Sequence, residues 1–284
     1  MVDPATLAAR GIRHFDKDLR LMTGKELTSY FAAERSGRIL IAQLIKNIIW
    51  QAYERIQAGS EPAIGGNIRT FWYQWVKPVL AHIRDDDAQK TDPYDTMIKA
   101  FTELVQDARL FKYADFDFTD ENWENRRIGT TRPDVMLFAE KAGWIRFLIE
   151  LHDELGVSVL ALGGQPSVLT SEYTARDISA AGAKLVRLIG IVDYDPAGDI
   201  IANAFQAQLA AAGLPSASLT TLIEPKNYTA QEIAIFKFPL PTKEKTKLLN
   251  WLAKTGGIDG KPFGLESESM PRERLRNLIR TLVV

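Results

Sequence analysis

The run Leu185-Val186-Arg187-Leu188-Ile189-Gly190-Ile191-Val192-Asp193-Tyr194-Asp195-Pro196-Ala197-Gly198 decides the fold. Its apolar part, Leu185 to Val192, is rich in branched residues and of strand length. A strand without apolar–polar alternation is buried on both faces, which is the mark of a parallel sheet covered by helices. Two carboxylates, Asp193 and Asp195, follow directly. Pro196 and Gly198 then turn the chain toward an alanine-rich helix, Ile200 to Ala212, which Gly213 and Pro215 stop.

The same texture extends outward. Val135 to Ala139 is an apolar run ending at Glu140, and Val157 to Leu162 is another, bounded by Gly163 and Gly164. Leu219 to Ile223 is a candidate fourth strand. Helical stretches from Trp144 to Leu155 and from Ser171 to Gly182 alternate with them. Strand and helix in alternation mean an α/β domain with a Rossmann-like parallel sheet.

Upstream of Arg132 the pattern is mainly helical. Residues 1–25 read as an N-terminal arm. Thr28 to Ala58 is helical in spacing, Gly59 to Gly66 is a breaker, and Asn67 caps a helix running through Arg69, Tyr73 and Val76. Pro78 lies near its end and is expected to kink it. Asp85, Asp86 and Asp87 begin a polar loop, and Tyr94 to Leu110 is again helical. In Phe111 to Phe118 aromatic and polar residues alternate, which predicts a short strand or hairpin. Helices followed by a hairpin fit a winged-helix domain. The expected division is an arm at 1–25, a winged-helix domain at 26–128 and an α/β domain with a C-terminal extension at 129–284.

Bulk composition narrows the function classes. The 284 residues are 46% hydrophobic and 25% charged, an ordinary globular balance. With no cysteine, a disulfide framework and a cysteine zinc site are excluded. His14, His82 and His152 are scattered and suggest neither a metal cluster nor a Ser-His-Asp arrangement. No leader opens the chain and no apolar run approaches the roughly 18 residues that span a bilayer, so a soluble, cytoplasmic protein is expected, nucleoid-associated in a prokaryote. The net charge of -1 contrasts with the basic character of a typical DNA-binding domain, but an acidic metal site and a basic groove cancel in such a sum. Arg272, Arg274, Arg276 and Arg280 form a basic run, as do Arg126, Arg127 and Arg132; such runs usually mark solvated faces.

In open parallel sheets ligands bind at the carboxyl ends of the strands. Glu140, Asp193 and Asp195 sit where that rule places a site. Hard carboxylate oxygens suit magnesium, and crowded like charges call for a cation. A lone Asp-x-Asp after a strand is also ordinary turn and N-cap chemistry.

Phe138-Ala139-Glu140-Lys141, followed by Asp193-Tyr194-Asp195-Pro196-Ala197-Gly198, resembles the Toprim signature. More narrowly it is similar to the Toprim domain of the topoisomerase VI A subunit and its relative, the meiotic double-strand-break transesterase. Gly163-Gly164-Gln165-Pro166-Ser167 resembles their glycine-rich loop, and Phe263-Gly264-Leu265-Glu266 is weakly similar to a segment near their C-terminus. The likeness covers roughly residues 130–284. It implies Glu140, Asp193 and Asp195 as Mg2+ ligands.

In that family a winged-helix domain carries the nucleophile in an arginine–three residues–tyrosine motif. Arg69-Thr70-Phe71-Trp72-Tyr73 resembles it, with Thr70 and Trp72 departing from the usual residues. Four apart, Arg69 and Tyr73 share a helix face. The resemblance implies Tyr73 as nucleophile and Arg69 as its phosphate-orienting helper. It also implies double-stranded DNA as substrate, a homodimer whose tyrosine and metal site come from different protomers, and a 5′-phosphotyrosyl link at a double-strand break. No phosphate-loop motif occurs, so ATP control would fall to a separate GHKL-type ATPase B subunit. The residues alone also admit a Toprim nuclease using activated water, a non-catalytic DNA-binding subunit, or Phe71, Trp72, Tyr73 and Trp75 as plain core aromatics.

Overall fold

A computed structural model describes residues 3–83, 92–241 and 245–283. Asp85 to Asp87 lie outside the described residues. The chain divides into two compact units, Met1–Thr119 and Asp120–Val284.

The first unit is helical: α1 (Pro4–Ala8), α2 (Gly24–Phe31), α3 (Ile41–Gln57), α4 (Ile68–Phe71), α5 (Lys77–Leu80) and α6 (Pro93–Thr102). The single helix expected from Thr28 to Ala58 is instead two. Gly37, at φ 63, turns the chain between them, and an antiparallel bridge joins Ala32 to Ile39. A capping box of Thr23 and Glu26 starts α2. On α3 the polar residues are not a solvent face. Asn47 accepts the Arg13 N–H at 2.8 Å and donates to the Gly11 carbonyl at 2.9 Å. Gln51 accepts from Leu19 N–H at 2.9 Å and donates to the carbonyls of Phe15 and Lys17 at 3.0 and 2.9 Å. These buried amides satisfy the backbone of an arm that has little regular structure of its own.

Between α4 and α5 the residues Trp72–Val76 form a π turn, in which the Lys77 N–H donates to the Trp72 carbonyl. The wider turn precedes Pro78, which has no N–H to continue an α-helical ladder. The strand or hairpin expected at Phe111 to Phe118 does not form. Tyr113–Phe116 is a 3-10 turn, ended by Asp117 in the left-handed region at φ 55. The aromatic alternation serves the core instead: Phe111, Phe116 and Phe118 are buried, and Phe116 meets Phe101 edge-on at 5.4 Å.

The second unit is α/β. Its five-stranded sheet has the order β1-β3-β2-β4-β5, with β1 (Arg126–Arg127), β2 (Arg132–Ala139), β3 (Val157–Ala161), β4 (Val186–Ile191) and β5 (Ser216–Thr221). All pairings are parallel except β1 with β3. Residues 120–128, expected in the first domain, belong to this unit, and β1 is an edge of its sheet. Helices α7 (Ile145–Leu155), α8 (Val168–Ala180) and α9 (Pro196–Ala211) connect the parallel strands. A short α10 (Ala230–Phe236), a β6–β7 pair (Phe238–Pro239 with Phe263–Gly264), α11 (Lys245–Thr255) and α12 (Arg272–Val283) complete the unit.

The pleat distributes β2 to two cores. Val135, Leu137 and Ala139 join one with Phe147 and Leu151 of α7 and Leu275 and Ile279 of α12. Met136 and Phe138 join the other with Ile178 of α8 and Phe205 of α9. The sheet is thus covered on both faces, as its unalternating apolar strands require. Gly190 on β4 lies against the Phe138 ring, where a Cβ would stand 2.6 Å from that ring.

Candidate metal centre

From β2 the chain goes to β3 on one side, and from β4 to β5 on the other. The strand order therefore reverses between β2 and β4, and the crevice at their carboxyl ends is where doubly wound sheets bind ligands. Glu140 follows β2 directly, and its N–H donates to the Ile191 carbonyl at the end of β4 at 3.1 Å. Glu140 Oε2 in turn accepts the Asp193 N–H at 3.3 Å. Asp195 caps α9, its Oδ1 accepting the Gly198 N–H at 2.7 Å. The turn is tight: a Cβ on Gly198 would lie 2.2 Å from the Asp193 carbonyl oxygen.

Burial raises the Glu140 carboxyl above its usual pKa, and the negative charges of Asp193 and Asp195 push it the same way. Burial likewise raises Asp195, with Asp193 adding to it against the stabilising backbone N–H donors of Gly198 and Ala197. Asp193 itself is buried, at 8% exposure.

Three further residues, from a distant part of the chain, complete the site. Tyr194 pairs with Leu265 as an antiparallel bridge, which brings Glu266, Ser267 and Glu268 to the strand ends. The Ser267 N–H donates to Asp193 Oδ1 at 2.7 Å. The Ser267 hydroxyl accepts from Trp144 Nε1 at 3.3 Å and donates to Glu268 at 3.1 Å. Lys141 Nζ lies 3.0 Å from Asp193 Oδ2, 2.5 Å from Glu266 and 2.6 Å from Glu268. Burial works against the lysine charge, yet these bonds prevail and hold its pKa above the ordinary lysine value.

Asp193, Glu266 and Glu268 present carboxylate oxygens within 4.8 Å of one another and could hold a metal ion; Glu140 and Asp195 are not members of that group. The donors are all carboxylate oxygens, which suit a hard divalent cation without selecting magnesium. Burial is the main reason that Glu140 and Asp195 are raised, and the added repulsion from Asp193 fits a cation on their side as well. Beside Asp193 and Asp195 opens a cleft of about 630 Å³ lined by Asp199, Glu224, Lys226 and Lys254 among others. Both lysines are paired, Lys254 with Asp199 at 2.6 Å and Lys226 with Glu224, so the cleft keeps an acidic balance.

Lys141, Ser267 and Glu268 were not singled out from sequence. Lys141 stood within the quoted run beside Glu140, and Glu266 closed the weakly similar segment Phe263 to Glu266.

In the first unit Phe71 and Trp75 are in the core, stacked at 6.1 Å. Tyr73 is not a core aromatic: it is 54% exposed, with the Lys77 ammonium 4.9 Å from its ring centroid. Arg69, on the preceding turn, is also exposed. Of the two basic runs, Arg126 is buried against Asp120 and Asp177, and Arg274, Arg276 and Arg280 of α12 face acids of α7 and α10. Among the described residues, no helix is long and apolar enough to cross a membrane. No protein-family model matches the chain, and no curated protein matches it.

Proposed function

We propose that the chain is a Toprim-type, metal-dependent DNA transesterase resembling the topoisomerase VI A subunit. The observation that carries this reading is the position of Glu140 and the Asp193–Asp195 pair at the reversal point of a parallel sheet. Glu140, Asp193 and Asp195 are read as ligands of one Mg2+ ion, which when bound supplies charge neutralisation at a phosphate and its leaving oxygen.

The exposed Tyr73 is read as the nucleophile. Its Oη attacks the backbone phosphorus, the bond from phosphorus to the 3′ oxygen breaks, the phenol gives up its proton, and the 3′ oxygen leaves as a hydroxyl after gaining one. The 5′ phosphate stays on the tyrosine, and the reverse step reseals the strand. Arg69 orients the phosphate through its planar fork of donors. The first unit is read as the tyrosine-bearing, winged-helix-related domain on the exposure of Tyr73, since no hairpin forms at Phe111 to Phe118. Two copies of the chain would cut both strands of a duplex, and a separate GHKL-type ATPase subunit would govern strand passage.

The test is incubation with supercoiled plasmid and Mg2+ or Mn2+, stopped with detergent and resolved with and without protease. Linear DNA with protein on its 5′ ends, lost in Tyr73→Phe, is the expected result. Protein-free breaks that persist in Tyr73→Phe and vanish in Asp193→Ala would replace the transesterase with a hydrolytic nuclease.

A further inference from the structure

Asp193 faces two neighbourhoods. On one side its N–H donates to Glu140 Oε2 at 3.3 Å, and Asp195 follows two residues on. On the other, its Oδ2 shares the Lys141 ammonium with Glu266 and Glu268. An ammonium has three N–H donors; here it donates to Glu266 and Glu268 at 2.5 and 2.6 Å and pairs with Asp193 Oδ2 at 3.0 Å. The same three residues are the group close enough together to hold a metal ion. Its centre already contains a positive charge, covalently tethered beside Glu140 and held by charge-assisted bonds. A divalent ion entering there would have to expel that charge or sit against it at contact distance, where like charges repel strongly.

We propose that Lys141 is the resident cation of this seat: it fills the position between Asp193, Glu266 and Glu268, leaves the Glu140 and Asp195 side open, and so limits each chain to one divalent cation. Lys141 is thereby a positioning residue. It fixes the Asp193 carboxylate through Oδ2 and ties the Glu266–Glu268 segment to the strand ends. For the first ion this inference rests on the metal-site reading above.

Removing the charge while keeping the stem, as in Lys141→Met, leaves three carboxylates facing one another with no cation among them. Such a cluster recruits a cation from solution. Lys141→Arg keeps the charge and is expected to behave as the wild type.

The experiment is a Mn2+ titration of the full chain without DNA, with free Mn2+ read by electron paramagnetic resonance and folding checked by circular dichroism. The wild type and Lys141→Arg are expected to bind one ion and Lys141→Met two. Glu266→Gln with Glu268→Gln in the Lys141→Met background is expected to return the count to one. Two ions on the wild type, or no gain in Lys141→Met, overturns the proposal. Should Lys141→Met fail to fold, Lys141→Gln makes the same charge deletion, and a wild-type count of two still overturns it. If the wild type binds none and Lys141→Met binds one, the lysine seat stands and the Glu140–Asp193–Asp195 reading falls. If neither binds, both fall.

Discussion

Along α12, Arg274 meets Glu232, Arg276 meets Glu150 and Glu154, and Arg280 meets Glu154. At the ends of β2 and β4, Glu140 Oε2 accepts the Asp193 N–H, and burial, with the charges of Asp193 and Asp195 adding to it, raises the Glu140 carboxyl. Both regions are dense in charge, and in sequence the arginine run is the more conspicuous. Folding pairs most of it. Arg274, Arg276 and Arg280 join α12 to α7 and α10, and Arg276 also lies over the Phe147 ring at 5.4 Å. The strand order brings Glu140 and Asp193 to adjacent strand ends, and the Gly198 turn holds Asp195 two residues beyond. A charge run is therefore weak testimony about partners until its counterions are known, whereas like charges kept close at a strand end ask for a ligand.

Three substitutions test this contrast. The largest effect is expected from Gly198→Ala, since the new Cβ meets the Asp193 backbone oxygen and no flexible side chain can yield. A loss of about 1–3 kcal/mol is expected in chemical denaturation, with weaker Mn2+ binding because the whole turn shifts. An unchanged affinity would show that the turn does not set the site.

Glu140→Gln comes next, and its sign is opposite. The folded carboxyl has a pKa raised above its ordinary 4.5, so the metal-free wild type carries no penalty below about pH 4.5. It loses stability as pH rises through the raised folded value. The amide cannot ionise, so the variant should melt higher than the wild type near neutral pH, by at most about 1 kcal/mol given solvent screening. The two should converge in acid. Divalent cation should stabilise the wild type and not the variant. A variant that melts lower at neutral pH would mean that Glu140 is there for structure alone.

The smallest effect belongs to Arg276→Gln. Partly exposed ion pairs contribute little, so a change within about 1 kcal/mol is expected, with Mn2+ binding untouched. Weakened Mn2+ binding would mean that the two regions are not independent.

Much of the second unit was legible because its signals are local. Apolar runs of strand length, each followed by a helix, gave β2, β3 and β4 within a few residues, and Glu140 and Asp193 fell at strand ends as their runs implied. The strand expected from Leu219 to Ile223 proved to be Ser216–Thr221, where serine and threonine conceal an edge position. Glu266, Ser267 and Glu268 were not legible as site residues because a bridge between Tyr194 and Leu265, far apart in sequence, brings them in. The first unit misled where periodicity has two explanations. Alternating aromatics at Phe111 to Phe118 satisfy a strand on paper, but a dense aromatic core takes them without any ladder. Asn47 and Gln51 lie within the helical span Thr28 to Ala58, and their partners are backbone groups of the arm, which spacing does not reveal.

The two-residue strand β1 closes one side of the five-stranded sheet, and β5 closes the other with Ser216, Ser218, Thr220 and Thr221. An edge of two residues is a poor template for strand addition. In terms of self-association, the β1 side is guarded against growing from copy to copy into a continuous ribbon. A dimer of the kind proposed above would avoid that edge if built from side chains on helices and loops, where symmetry can close it at two.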